Sequence, residues 1–111
     1  MQLLTEELRV SLPPLRSRKQ NKDPHVYAKF FTPASNWTWF VIEGSAEDDD
    51  FIFFGYVFSD YEELELGYFS LKELESVRGG LQLPIERDLH FKPGPWSEVI
   101  ARYRRERGEQ V

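Results

Sequence analysis

Glu86, Asp88 and His90 are the residues best typed and spaced for chemistry, because they alternate along the chain. In an extended segment alternate side chains project from one face. Two carboxylates and an imidazole on one face can hold a divalent ion or divide acid and base duties between them. Arg87, Leu89 and Phe91 would then point the other way. The same alternation also describes the wetted face of an edge strand, and Asp88 has Arg87 and Arg78 as candidate ion-pair partners. The pattern is therefore read first as structural, with no catalytic residue, metal or cofactor assigned to it.

Composition removes several other chemistries. The chain has no cysteine, which excludes disulfide frameworks, thiolate zinc and iron–sulfur sites and a thiol nucleophile. His25 and His90 are the only histidines, and no serine stands in a Gly-x-Ser-x-Gly elbow, so a nucleophilic triad has little to build on. Gly79-Gly80 follows a helical pattern and reads as its C-terminal stop, not as a phosphate-cradling loop.

Charge is more informative than chemistry. Between Phe30 and Glu75 there is one basic residue against eleven acidic ones, while both flanking segments are mildly basic, and the net charge is -5. Such asymmetry speaks about partners. Glu47, Asp48, Asp49 and Asp50 form one acidic turn, and Asp60, Glu62, Glu63 and Glu65 a second. These eight are the candidates for docking a protein partner, with electrostatics supplying speed and specificity. Arg102, Arg104, Arg105 and Arg107 crowd the C-terminus, and Arg16, Arg18, Lys19 and Lys22 lie upstream. Arginine clusters neutralise phosphates, but the acidic middle interrupts any continuous groove, so nucleic acid is the less favoured partner. The longest charge-free apolar stretch, Phe51 to Ser59, is far below the roughly 20 residues that span a bilayer. The N-terminus also lacks a basic-then-apolar signal pattern. A cytoplasmic protein without membrane association is expected.

The elements that must position these groups follow from periodicity. With 111 residues, 41% hydrophobic and 30% charged, the chain reads as one domain over 1–111. Thr5 caps a short helix ended by Pro13 and Pro14, and residues 16–24 read as a mobile basic loop. Strands are expected over His25–Phe31, Trp37–Glu43, Phe51–Phe58 and Leu64–Phe69, with Gly44–Asp50 and Asp60–Glu63 as connecting turns. Trp37–Glu43 is apolar on both sides and reads as central. Gly55 suggests a bulge or a close backbone approach. Ser70 and Glu73 make a capping box for a helix carrying Leu71, Leu74 and Val77. Leu83–Phe91 reads as a fifth strand or edge segment. Trp96, Val99, Ile100 and Tyr103 mark a C-terminal helix with Pro95 at its start. The sum is α+β: a four- to five-stranded, mainly antiparallel meander with a short N-terminal helix, a middle helix and a C-terminal helix packed on it, largely on one side.

Two strings add a resemblance. Leu66 to Gly79 and Leu83 to Phe91, with Phe31-Thr32-Pro33 and the Trp39–Glu43 strand upstream, resemble domain of unknown function 2958, a family of small bacterial proteins, over roughly residues 26–93. The resemblance implies a setting on plasmids, phages or integrated elements. It implies no catalytic residue; Glu86, Arg87, Asp88 and His90 are motif residues without an assigned role. The reading that follows is a non-enzymatic interaction or regulatory protein binding a macromolecular partner, such as a nucleic-acid-handling protein, through acidic turns and a basic C-terminal helix. The alternatives are a small metal-assisted enzyme using Glu86, Asp88 and His90, and a nucleic-acid-binding accessory subunit.

Overall fold

The computed structural model describes residues 1–17, 22–59, 64–78 and 80–108. Thr5 opens helix α1 (Glu6–Ser11) by accepting the Leu8 N–H at 3.1 Å, and Glu6 and Glu7 occupy the first turn, where the helix dipole favours carboxylates. Leu8 and Leu12 share its buried side. Of the expected basic loop, residues 18–21, including Arg18 and Lys19, lie outside the described residues.

The expected first strand is divided into β1 (His25–Val26) and β2 (Ala28–Phe31). Between them the Tyr27 N–H donates to the Val41 carbonyl at 2.9 Å. Strands β3 (Thr38–Glu47), β4 (Asp50–Phe58) and β5 (Leu64–Ser70) follow as a meander, and helix α2 (Leu71–Ser76) leaves directly from β5. Strand β6 (Glu86–Arg87) returns beside β2, so the main sheet is antiparallel in the order β5-β4-β3-β2-β6. Strand β7 (Gly94–Pro95) pairs with β1 in a separate two-stranded ribbon, and helix α3 (Trp96–Glu106) follows it.

Strand β3 is longer than the sequence suggests. The polar Gly44–Glu47 stretch reads as loop, yet it pairs with β4 through Gly44↔Phe53 and Ala46↔Phe51, leaving Asp48 and Asp49 as the turn. Asp48 takes φ 54°, a left-handed conformation that Asp tolerates better than most residues. Gly55 is a close approach with the bulge on its partner. Val41 pairs with Gly55 and Glu43 with Phe54, so Ile42 is the extra residue.

The helices cover both faces, contrary to the one-sided arrangement expected. Phe30, Trp39, Val41, Phe53 and Phe69 join Leu8 of α1 and Leu74 of α2 in one core cluster. Phe40, Phe58 and Val26 join Val99 and Tyr103 of α3 in the other. The reason is visible in β3, whose neighbours Trp39 and Phe40 face opposite ways and each need an apolar cover.

Helix ends also differ in detail. Ser70 caps α2 by accepting the Glu73 N–H at 3.2 Å, as the capping box requires. The helix nevertheless stops at Ser76, with Val77 already extended, ahead of Gly79, which lies outside the described residues. Pro95 stands just before α3 and supplies no side-chain cap. Distant Asp23 does this work, its carboxylate accepting the Ser97 N–H and hydroxyl, both at 2.7 Å. Those bonds hold the Asp23 pKa below the usual 3.8.

Candidate functional site

Of the expected Leu83–Phe91 strand, Glu86 and Arg87 pair with β2 opposite Phe31 and Phe30, and the Asp88 N–H still donates to the Lys29 carbonyl at 2.9 Å. The chain then turns: Asp88 Oδ1 accepts the His90 N–H at 2.9 Å and the Phe91 N–H reaches the Asp88 carbonyl at 3.3 Å. A local side-chain-to-backbone bond of this kind is what aspartate offers in competition with a ladder. His90 therefore lies in a turn beyond the strand, so the three do not all share one strand face, which corrects that expectation. Asp88 pairs with neither Arg87 nor Arg78; its Oδ2 lies 3.5 Å from Lys29 Nζ. Arg87 donates from Nε to the Gln2 carbonyl at 3.3 Å. Among the described residues no three His, Asp or Glu side chains are grouped to hold a metal ion.

Asp88 forms a wall between two clefts. One, of about 320 Å³, lies against α1 and includes Thr5, Glu7, Tyr27 and Arg87. The other, of about 270 Å³, brings Asp88 and His90 together with Lys29, Arg102, Tyr103 and Glu106.

The first acidic turn is partly absorbed by the fold. Glu47, Asp48 and Asp49 are exposed, and Asp49 forms an ion pair with Lys72 at 2.6 Å. Asp50 is half-buried at the root of α2, accepting from the Ser70 hydroxyl and from the Phe51 and Lys72 N–H groups at 2.7 and 3.1 Å. The Ser70 bond in particular lowers its pKa below 3.8. A depressed folded-state pKa contributes stability above the unfolded value that is lost as pH falls through the folded one. Asp50→Asn should accordingly lower the denaturant midpoint at neutral pH, and the gap from wild type should close as pH drops below about 3.8, the ordinary value. A gap independent of pH would remove the charge from this account.

In the second acidic group, Asp60, Glu62 and Glu63 lie outside the described residues, and Glu65 is exposed on β5. The pairs Glu47↔Asp50 and Phe58↔Leu64 lie at opposite ends of β4.

Arg102, Arg104 and Arg105 of α3 and Arg107 just beyond it separate into two pairs. Arg102 donates to the Lys92 carbonyl at 2.7 Å and lies over the Phe91 ring. Arg107 donates to the Tyr103 hydroxyl at 3.1 Å, and that hydroxyl reaches Thr38 Oγ1 at 3.2 Å. Arg104 and Arg105 are exposed.

Two features escaped sequence reasoning. Glu43 is fully buried, with its Oε1 accepting the Arg16 N–H at 2.9 Å; in the sequence it reads only as the polar end of a strand. The other is on β5, where Leu64, Leu66 and Tyr68 are 40%, 51% and 53% exposed. They stand opposite Phe58, Tyr56 and Phe54 and hence on the α3 face. Their alternation signals a strand; that this strand has an apolar outer margin depends on the sheet order.

Together these elements define an α+β fold built on an open antiparallel sheet, one margin of which exposes Leu64, Leu66 and Tyr68 beside Glu65. The chain belongs to the DUF2958 family, described as a protein of unknown function, whose family model matches residues 3–109. No curated protein and no solved structure matches it.

Proposed function

We propose that this chain is a non-enzymatic interaction protein that binds a protein partner along the β4–β5 margin of its sheet, with a bacterial mobile element and the cytoplasm as its setting. The observation that carries the reading is the row Leu64, Leu66 and Tyr68, three large apolar side chains exposed side by side on the outermost strand. Burying such a row is worth about 25 cal/mol per Å² of apolar surface removed from water, and contiguous exposed apolar surface rimmed by charge is a feature of docking sites.

The acidic residues retain a steering role, but the docking surface moves to β5 because Asp49, Asp50, Arg102 and Arg107 are engaged within the chain. The metal-assisted alternative loses the shared strand face on which it rested. A nucleic-acid accessory role has Arg104 and Arg105 in its favour, two neighbouring cations beside a net charge of -5.

A photo-crosslinking amino acid placed at Leu66, and as a comparison at the similarly exposed Leu89, distinguishes these readings in host cells. The expected result is a protein adduct at Leu66 and none at Leu89. No protein adduct at Leu66, equal adducts at both positions, or adducts to nucleic acid would overturn the proposal.

A further inference from the structure

We infer, resting on the function proposed above, that β5 receives its partner by strand addition and that the incoming segment is extended, basic and alternately apolar. The two margins of the sheet differ in a way that points there. At the far margin β6 is two residues long, and the N-terminal segment lies beside it, with the Arg87 N–H 3.2 Å from Met1 Sδ and Arg87 Nε on the Gln2 carbonyl. Short edge strands and covering segments are the usual means by which a sheet discourages further pairing. Among the described residues strand β5 has neither. It is seven residues long and in unbroken register with β4 from Ile52↔Ser70 to Phe58↔Leu64. It contains no proline, no lysine and no bulge, and among the described residues no strand pairs with its outer side.

An added strand would take its affinity from main-chain hydrogen bonds and its specificity from alternate side chains. On the α3 face it would meet Leu64, Leu66 and Tyr68. On the opposite face it would meet Glu65 and then Gly67, where even a Cβ would have nothing within 4 Å, leaving a notch for a partner side chain.

Charge selects the occupant. Residues 60–70 contain Asp60, Glu62, Glu63 and Glu65 and no base, so lysine or arginine on the incoming segment finds opposite charge, and a like-charged one is repelled. A second copy of this chain brings the same acids and a net charge of -5, and antiparallel self-pairing centred on Glu65 would set that carboxylate against its own copy. The bare edge is thus protected against self-association by the same charges that favour a basic partner.

The test uses the full chain and a synthetic peptide in which lysine alternates with valine and isoleucine, beside a peptide of the same composition with the lysines in one block. The alternating peptide should bind, slow amide hydrogen exchange selectively in β5, and lose about tenfold in affinity between low and high salt as screening takes effect. A proline at its centre, or Leu66→Asp in the protein, should abolish the β5 protection. No binding, equal binding of the blocked peptide, or protection elsewhere would overturn strand addition. A dimer of the chain with β5 already protected would replace the basic segment by a second copy, overturning it also. A protein adduct at Leu66 without β5 protection removes strand addition and leaves the proposed function intact, whereas absence of that adduct removes the function itself.

Discussion

Gly55→Ala is expected to abolish cooperative folding, while Gly67→Ala, at its partner position across the β4–β5 pair, should leave stability within about 0.5 kcal/mol of wild type. A Cβ at Gly55 would lie 1.8 Å from the Phe40 carbonyl oxygen and 3.2 Å from the Val41 Cα. Both obstacles are backbone atoms of the adjoining strand, so no rotamer change relieves the clash, and separating the strands would open the β3–β4 ladder at its bulge. The loss should exceed the roughly 4 kcal/mol that marks exceptional single substitutions, a large fraction of the 5–15 kcal/mol total typical of a domain. Circular dichroism and denaturant titration of the two variants read this directly. A Gly55→Ala protein that unfolds like wild type would mean that β3 and β4 do not approach as described.

This close approach was partly legible. A glycine within an aromatic, β-branched run signals a bulge or a near backbone, but the extra residue proved to be Ile42 on the partner strand, and a one-strand pattern cannot say which of two paired strands bulges. The same limit explains Gly44–Glu47, whose polar residues are held in a ladder by Phe51 and Phe53 opposite them. Elements whose signal is internal were read well: the Ser70 cap, the Thr5 cap and the Val99–Tyr103 stripe depend on spacings within a few residues. The alternation of Glu86, Asp88 and His90 does not run past Asp88, whose side chain captures the His90 N–H where the chain turns. The β5 margin was legible as a strand but not as an edge, since sheet order is settled by β6 returning to the other side.

Glu43→Ala is expected to destabilise the protein by about 3 kcal/mol, because truncating a buried partner strands the groups that bonded to it. The bulge at Ile42 determines where this side chain goes. Val41 faces the core beneath α1 and α2, and without the extra residue Glu43, two positions later, would face it too. With the bulge Glu43 stands opposite Phe54 and is turned to the α3 side, away from Phe30 and Phe53. There its carboxyl group takes the Arg16 N–H, while Ser45 Oγ accepts the Leu15 N–H at 2.9 Å and the Gly44 N–H donates to the Pro13 carbonyl at 3.0 Å. These bonds fasten residues 13–16 to the half of β3 that β4 pairs from its other side. Glu43→Gln retains the acceptor oxygen and should cost about 1 kcal/mol. Denaturant midpoints for both variants, together with amide exchange at Arg16, test the account. Exchange at Arg16 should quicken in Glu43→Ala and remain near wild type in Glu43→Gln, whereas a Glu43→Ala protein within about 0.5 kcal/mol of wild type would show that this buried carboxyl does not anchor the segment.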